Sequence, residues 1–224
     1  MSAGGVRANV MLAVVSAGVA LSAVLLTACG VVVTTGSGTA AAQTRHLAPF
    51  SSVDLAGSSN VTLHVGGRQS VVVHADDNLL RQVTTQVHAR NLIIGTTGTF
   101  TTKTPMTVEI SMPSLRALTL SGSGGISAGG VQAQRLSVAL SGSGFVRASG
   151  TVTRLDVTLD GSGGAQLEQL AARDVHALLS GSGRIVVHAT NTLRASVPGS
   201  GTIAYSGPAH VTTNITGSGA VTRQ

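Results

Sequence analysis

The sequence predicts an all-β chain: a parallel β-helix, or β-solenoid, with rungs of about 18–20 residues and an irregular, β-rich N-terminal part. Three observations predict it. Gly-Ser-Gly recurs with its first glycine at Gly122, Gly142, Gly161, Gly181, Gly199 and Gly217, a step of about 20 residues each time. Each turn is entered by an alternating strand, as in "RLSVALSGSG", so one side of every rung is aliphatic. The composition is poor in aromatics (2%) and in charge (10%, against roughly 25% in soluble domains), which leaves a core of Val, Leu, Ile and Ala on strands.

The chain opens with an export signal. Arg7 supplies a positive start, and Val10 to Leu26 is one unbroken apolar run. "LTAC" follows, and this small residue before the lone Cys29 resembles a bacterial lipobox. The resemblance implies a cleaved signal at 1–28, a lipidated Cys29 and a membrane anchor of two or more acyl chains. An uncleaved membrane-spanning anchor is the alternative, since the run from Val10 to Leu26 just reaches the spanning range of roughly 17–25 residues. Cys29 is the only cysteine, so the rest of the chain has neither a disulfide nor a cysteine metal site. Residues 29–44, small and polar apart from one Val run, read as a lipidated residue and a flexible tether. The folded domain is expected over 45–224.

From Arg45 to Pro113 the period is broken, yet "SSVDLAG", "NVTLHVGG", "SVVVHA", "QVTTQVHA", "NLIIGTT" and "MTVEISMP" all read as short strands. "ADDNLLRQ" reads as a single helical turn and "GTTGTFTTKT" as a flexible loop. Beyond it the repeat takes over. Leu136, Val138 and Leu140 share a face, as do Leu155, Val157 and Leu159, then Val175, Ala177 and Leu179, and so on to Val211, Thr213 and Ile215. Each turn is followed by an apolar residue: Ile126, Val146, Ala165, Ile185, Ile203 and Val221. Stacked rung on rung, these residues form aliphatic columns inside the coil. The glycines let successive turns stack about 4.8 Å apart without a Cβ between them. The central serines would form a ladder of hydroxyls bonded to one another or to turn amides. No helix signal follows any turn, so a phosphate-cradling loop is not expected.

Taken in order, "RHLAPFSSVDLAGSSNVTLHVG", "SVVVHADDNLLRQVTTQV", "NLIIG" and "MPSLRALTLSGSG" resemble the auto-transporter adhesin head GIN domain family, over about Arg45 to Gln224. The resemblance implies a β-helix-like fold and export to the cell envelope, with no established activity and no catalytic residues. Family members often carry an acidic residue after Gly-Ser-Gly. Here that position holds Gly125, Phe145, Gly164, Arg184, Thr202 and Ala220, so no cation-binding ladder is carried over. No barrel segment follows "TGSGAVTRQ" in the sequence, so the transporter half of the family name is not expected to apply.

Few residues suggest chemistry. Ser137, Asp156, His176, Arg194 and Thr212 are expected to stack in one outward column, but a nucleophilic triad needs its histidine in the middle, and here the aspartate is. Asp156 and Asp160 share an outward face two alternations apart, an expected spacing of roughly 7 Å. They are the candidates for the alternative reading, an enzyme acting on envelope polysaccharide. His46, His64, His74, His88, His176, His188 and His210 lack tight ligand spacing, with His64 and His74 the one pair that could meet across strands. Arg116, Arg135, Arg154 and Arg173 are evenly spaced, close to the repeat, and form a candidate polyanion-binding ladder on one corner. The leading reading is a non-enzymatic, lipid-anchored envelope module, binding or structural and adhesive, with envelope polysaccharide or a surface protein as partner. Anionic lipid headgroups are a further candidate for the ladder. No cofactor, metal or nucleic acid is expected, and self-association through the strand edges at the solenoid ends is a further possibility.

Overall fold

The computed structural model describes residues 33–224; the segment read as an export signal and Cys29 lie outside the described residues. Strands account for almost all regular structure: β1 (Val33–Thr35), β2 (Ala40–Thr44), β3 (Ser52–Gly57), β4 (Asn60–Val65), β5 (Ser70–Asp76), β6 (Val83–His88), β7 (Asn91–Thr96), β8 (Thr99–Thr101), β9 (Thr107–Met112), β10 (Ala117–Gly122), β11 (Gly125–Gly142), β12 (Phe145–Gly161), β13 (Gly164–Leu179), β14 (Arg184–Val197), β15 (Thr202–Ser206), β16 (His210–Ile215) and β17 (Ala220–Arg223). One 3-10 turn, Leu80–Gln82, falls within the segment read as helical. Among the described residues no helix is long and apolar enough to cross a membrane.

The chain is a parallel β-solenoid. β10 to β15 stack in sequence order, each coil hydrogen-bonded in parallel to the next, and β16 and β17 add the last coil. The expected columns are in register: Leu136 faces Leu155, which faces Val175, which faces Leu193. All four are at most 3% exposed. One core of Leu, Val, Ile and Ala runs from Phe50 to Ile203. The far corner of each coil is a register shift inside a long strand, between Ala128 and Val131 in β11 and between Arg147 and Gly150 in β12.

The Gly-Ser-Gly turns stack through the main chain. Gly142 O accepts from both Ser162 N and Gly163 N at 3.0 Å, and Gly161 O accepts from Ser182 N and Gly183 N at 2.9 and 3.0 Å. Hydroxyls therefore do not build the ladder; the serines of the turns point to solvent. Gly161 shows why the position is glycine: its φ is +141°, and a Cβ there would press onto Gly142 O in the coil beneath.

A further coil lies hidden in the aperiodic region. β3 and β4 form a rung whose turn, Gly57-Ser58-Ser59, sits under Gly122-Ser123-Gly124, with Leu55 beneath Leu120 and Val61 beneath Ile126. Here the chain order departs from the spatial order. After β4 the chain leaves, and it returns as β7 and β9, which pair in parallel with β3 and β4 on their far side. β10 then resumes on the near side. Antiparallel strands finish this end: β6 on β7, β5 on β9, and β2 on β5.

Two further expectations are corrected. Residues 33–44 are not a free tether, because β1 pairs with β8 and β2 with β5. For the same reason "GTTGTFTTKT" is not wholly loop: β8 runs through it. The fastening is polar. Asp76 is fully buried and accepts from Gly38 N (2.8 Å), Lys103 N (3.0 Å) and Thr104 N (3.3 Å). Asn78 accepts from Ser37 N and donates to Thr35 O, and Asp77 accepts from the Ser37 hydroxyl. These partners lie 27 to 43 residues from Asp76–Asn78 in sequence.

Candidate functional site

The half-coils β10, the C-terminal parts of β11 to β14, and β16 form one flat outer face. Pleating turns alternate residues outward, and two outward columns run side by side across the coils. One is Ser137, Asp156, His176, Arg194 and Thr212, as expected. The other is Arg135, Arg154, Asp174, Thr192 and His210. Together they border a shallow groove of about 490 Å³ lined by Arg135, Arg154, Asp156, Asp174, His176, Thr192 and Arg194.

The four-arginine ladder is thus corrected to a pair. Arg135 and Arg154 are in register. Arg116 is one residue out, since Ala117 faces Ser137, and Arg173 is one residue out, since Asp174 faces Arg154. The reason is the length of the coils. The step between the arginines equals the coil from Gly142 to Gly161, but the coils on either side, Gly122 to Gly142 and Gly161 to Gly181, are each longer by a single residue.

Both carboxylates of the groove are engaged. Asp156 takes the Arg135 Nε at 3.3 Å. Asp174, which the sequence did not single out, accepts from the Thr192 hydroxyl and the Asn191 amide, both at 2.7 Å. Those bonds, with the positive charge of Arg173 and Arg154, hold its carboxyl below the ordinary range despite partial desolvation. Its signal was present in the repeat: stepping on from Arg154 by the length of the coil from Gly161 to Gly181 arrives at Asp174.

The candidate catalytic pair is not brought together. Asp156 and Asp160 lie on one continuous strand, four residues and so about 13 Å apart, not 7 Å. Asp160 faces Ser141, away from the groove. Asp156 stands between Ser137 and His176, so no histidine bridges a serine and an aspartate there. His64 and His74 do not meet either. His64 faces Ser111, and His74 faces Thr107 and approaches Glu109 at 3.6 Å. On the opposite face His188 Nδ1 and Ser206 Oγ lie 2.8 Å apart, a contact that stepping by one coil could have revealed. Among the described residues no group of three or more His, Cys, Asp or Glu is placed to hold a metal ion.

The opposite face carries one aromatic feature. Phe145 lies over Gly125, where any side chain would collide with its ring. The Arg147 guanidinium stacks 4.3 Å from the ring centroid and donates to Gln166 at 2.7 Å.

Over residues 49–209 the chain matches the family described as "Putative auto-transporter adhesin, head GIN domain". The chain belongs to this family. Three solved structures share its fold. A putative adhesin from Bacteroides fragilis aligns with TM-score 0.71 at 19% identity, covering 85% of this chain and 99% of the other. A putative lipid binding protein from Parabacteroides distasonis gives 0.57 at 20%, covering 85% and 98%. A putative adhesin from Parabacteroides merdae gives 0.51 at 19%, again covering 85% and 98%. No curated protein matches the chain. At these identities the likeness is one of fold.

Proposed function

We propose that this GIN protein is a non-enzymatic binding module of the cell envelope, held to a membrane through a lipid on Cys29, with an acidic envelope polymer as its ligand. The observation that carries the reading is the outer face itself. It is flat and regular, with Arg135 stacked on Arg154 and Arg194 nearby, and its acidic groups are spread along the strands or tied up in ion pairs. A regular array with one spacing suits a repeating ligand, whereas bond cleavage requires acidic groups that converge on one atom. The adhesin name of the family supports both the binding role and the envelope location.

The test uses the full chain in detergent, mixed with isolated envelope polysaccharide, scoring retained polymer and released fragments. Retention without fragments is the expected result. Fragments that vanish in Asp156→Ala or Asp160→Ala would make the protein an enzyme and overturn the reading. Cys29→Ser is expected to abolish incorporation of labelled palmitate and to release the protein from membranes.

A further inference from the structure

The groove between the two outward columns contains more than a stacked arginine pair. Its carboxylates are satisfied, Asp156 by Arg135 and Asp174 by Thr192 and Asn191. Two of its cations have no such close partner, although the charge of Arg154 is felt at Asp174 one coil away. Among the described residues neither Arg154 nor Arg194 has an ion-pair partner within 4.0 Å, and neither donates a side-chain hydrogen bond. Both line the same groove, with His176 in register between Asp156 and Arg194. Arg154 and Arg194 start two coils and one alternation apart, about 10 Å across the strands and 7 Å along them. They therefore approach a ligand in the groove from two sides, with the His176 ring between.

We propose that Arg154, His176 and Arg194 form a seat for a single phosphate group. The claim rests on the binding-module reading and names the chemistry recognised there. A planar carboxylate offers its lone pairs in one plane, and a guanidinium fork takes the outer edge, which leaves only in-plane sideways approaches for a second arginine. A tetrahedral phosphate offers oxygens in several directions and is the group that two arginines on opposite sides can share. The three groups come from three successive coils, β12, β13 and β14, so the seat exists only once the coils have stacked. Phosphate on a glycan or small molecule fits better than phosphate at a membrane surface. The exposed large apolar residues among those described are Val33, Ile93 and Ile215, and none lines the groove, so nothing there would enter a bilayer.

The full chain in detergent is titrated with glycerol 3-phosphate, with acetate, and with vesicles containing phosphatidylglycerol, followed by calorimetry and by the His176 ring resonances. Glycerol 3-phosphate is expected to bind and to shift His176. Arg154→Ala and Arg194→Ala should each weaken it at least tenfold, and Arg116→Ala and Arg173→Ala should leave it within twofold. High salt should weaken it as well. These arginines are exposed, so unchanged melting of each variant checks that the fold is intact. Equal binding of acetate, or tighter binding to vesicles than to free glycerol 3-phosphate, overturns the proposal. So does binding that survives Arg194→Ala. The two readings fail separately. Polymer retained equally by wild type and Arg194→Ala removes the seat and keeps the binding module. A chain that binds glycerol 3-phosphate but retains no polymer keeps the seat and removes the polymer as ligand.

Discussion

The stacked coils and the N-terminal cap solve the same problem by different means. Both must place strands about 4.8 Å apart and bury the same aliphatic columns. In the coils, each residue bonds to its counterpart one coil later, and the turn is closed by glycine carbonyls that accept two main-chain donors each. In the cap, the chain doubles back, and the closing bonds come from a buried carboxylate and an amide whose partners are far away in sequence. The left-handed backbone positions differ too. In the coils all of them are glycine, whereas in the cap, beside Gly38, Gly66 and Gly98, the loop between β6 and β7 places Ala89 and Arg90 at φ +48° and +66°. Local repetition builds the coils, and a few specific long-range contacts build the cap.

The largest expected effect is in the coils. Gly161→Ala places a side chain at φ +141° and drives its Cβ into the Gly142 carbonyl oxygen. Strain of about 1–3 kcal/mol at such a backbone, plus overpacking of similar size, gives a loss of about 2–6 kcal/mol. Gly164→Ala, where the nearest atom is 3.8 Å away, is expected to change little. Urea midpoints of the two variants check this, and equal midpoints would mean that the turn ladder is not the glycine constraint described here.

That contrast also marks what the sequence could reveal. The repeat spelled out the coils, because every residue that packs there has an equivalent one coil on. The same logic misled where it was applied with the wrong step: the even spacing of the four arginines joined them into a ladder, and coils longer by a single residue pull the outer two out of line. The rung at β3 and β4 was missed because its turn is Gly57-Ser58-Ser59, without the second glycine. The cap strands were legible one by one, but not their pairing. Nothing local tells Ala40–Thr44 to lie against Val72–Asp76, and small polar residues look alike in a tether and in an edge strand. The groove was half legible: the Asp156, His176, Arg194 column follows from the period, and Asp174 opposite Arg154 needed the true coil length.

The next effect lies in the cap and depends on pH. Burial pushes the Asp76 carboxyl up, but the Lys103, Gly38 and Thr104 amides outweigh it and hold its pKa below the ordinary carboxylate range. A depressed folded-state pKa contributes stability that is fully present above the unfolded value, near pH 4, and is lost as pH falls through the folded value. Wild-type protein should therefore lose stability below about pH 4. Asp76→Asn should be less stable at pH 7 and flatter with acid. Asp54, whose carboxyl burial raises, pulls the other way in both proteins and cancels in the comparison. Amide exchange should show Gly38 and Lys103 unprotected first, whereas coil amides such as Ser162 stay protected. Equal acid sensitivity of the two proteins would remove Asp76 from the cap's fastening.

A smaller effect sharpens the backbone contrast. Ala89→Gly should stabilise the protein by about 1 kcal/mol, because a residue with a Cβ is held in the left-handed region there. Thermal melts check it, and a destabilised variant would mean that the Ala89 side chain packs in a way that outweighs its backbone.

The smallest effect is on the outer face. Arg135 and Asp156 are joined at 3.3 Å, but Arg135 is well exposed and Asp156 about one-third exposed, at 62% and 35% of the side chain. Water screens such a pair, and ordering two side chains offsets the attraction, so a double-mutant cycle of Arg135→Ala with Asp156→Ala should give a coupling of about 0.5 kcal/mol or less. The pair would then contribute almost nothing to the fold, and its arrangement would matter only for what the groove presents to a ligand. Freed of Arg135, Asp156 lies one coil from His176 and two from Arg194, close enough to lower the positive potential there. Arg135→Ala should therefore leave the melting temperature unchanged while weakening phosphate at Arg154 and Arg194 by a few-fold. A large stability loss with unchanged phosphate affinity would invert that assignment and make the ion pair a structural tie between coils.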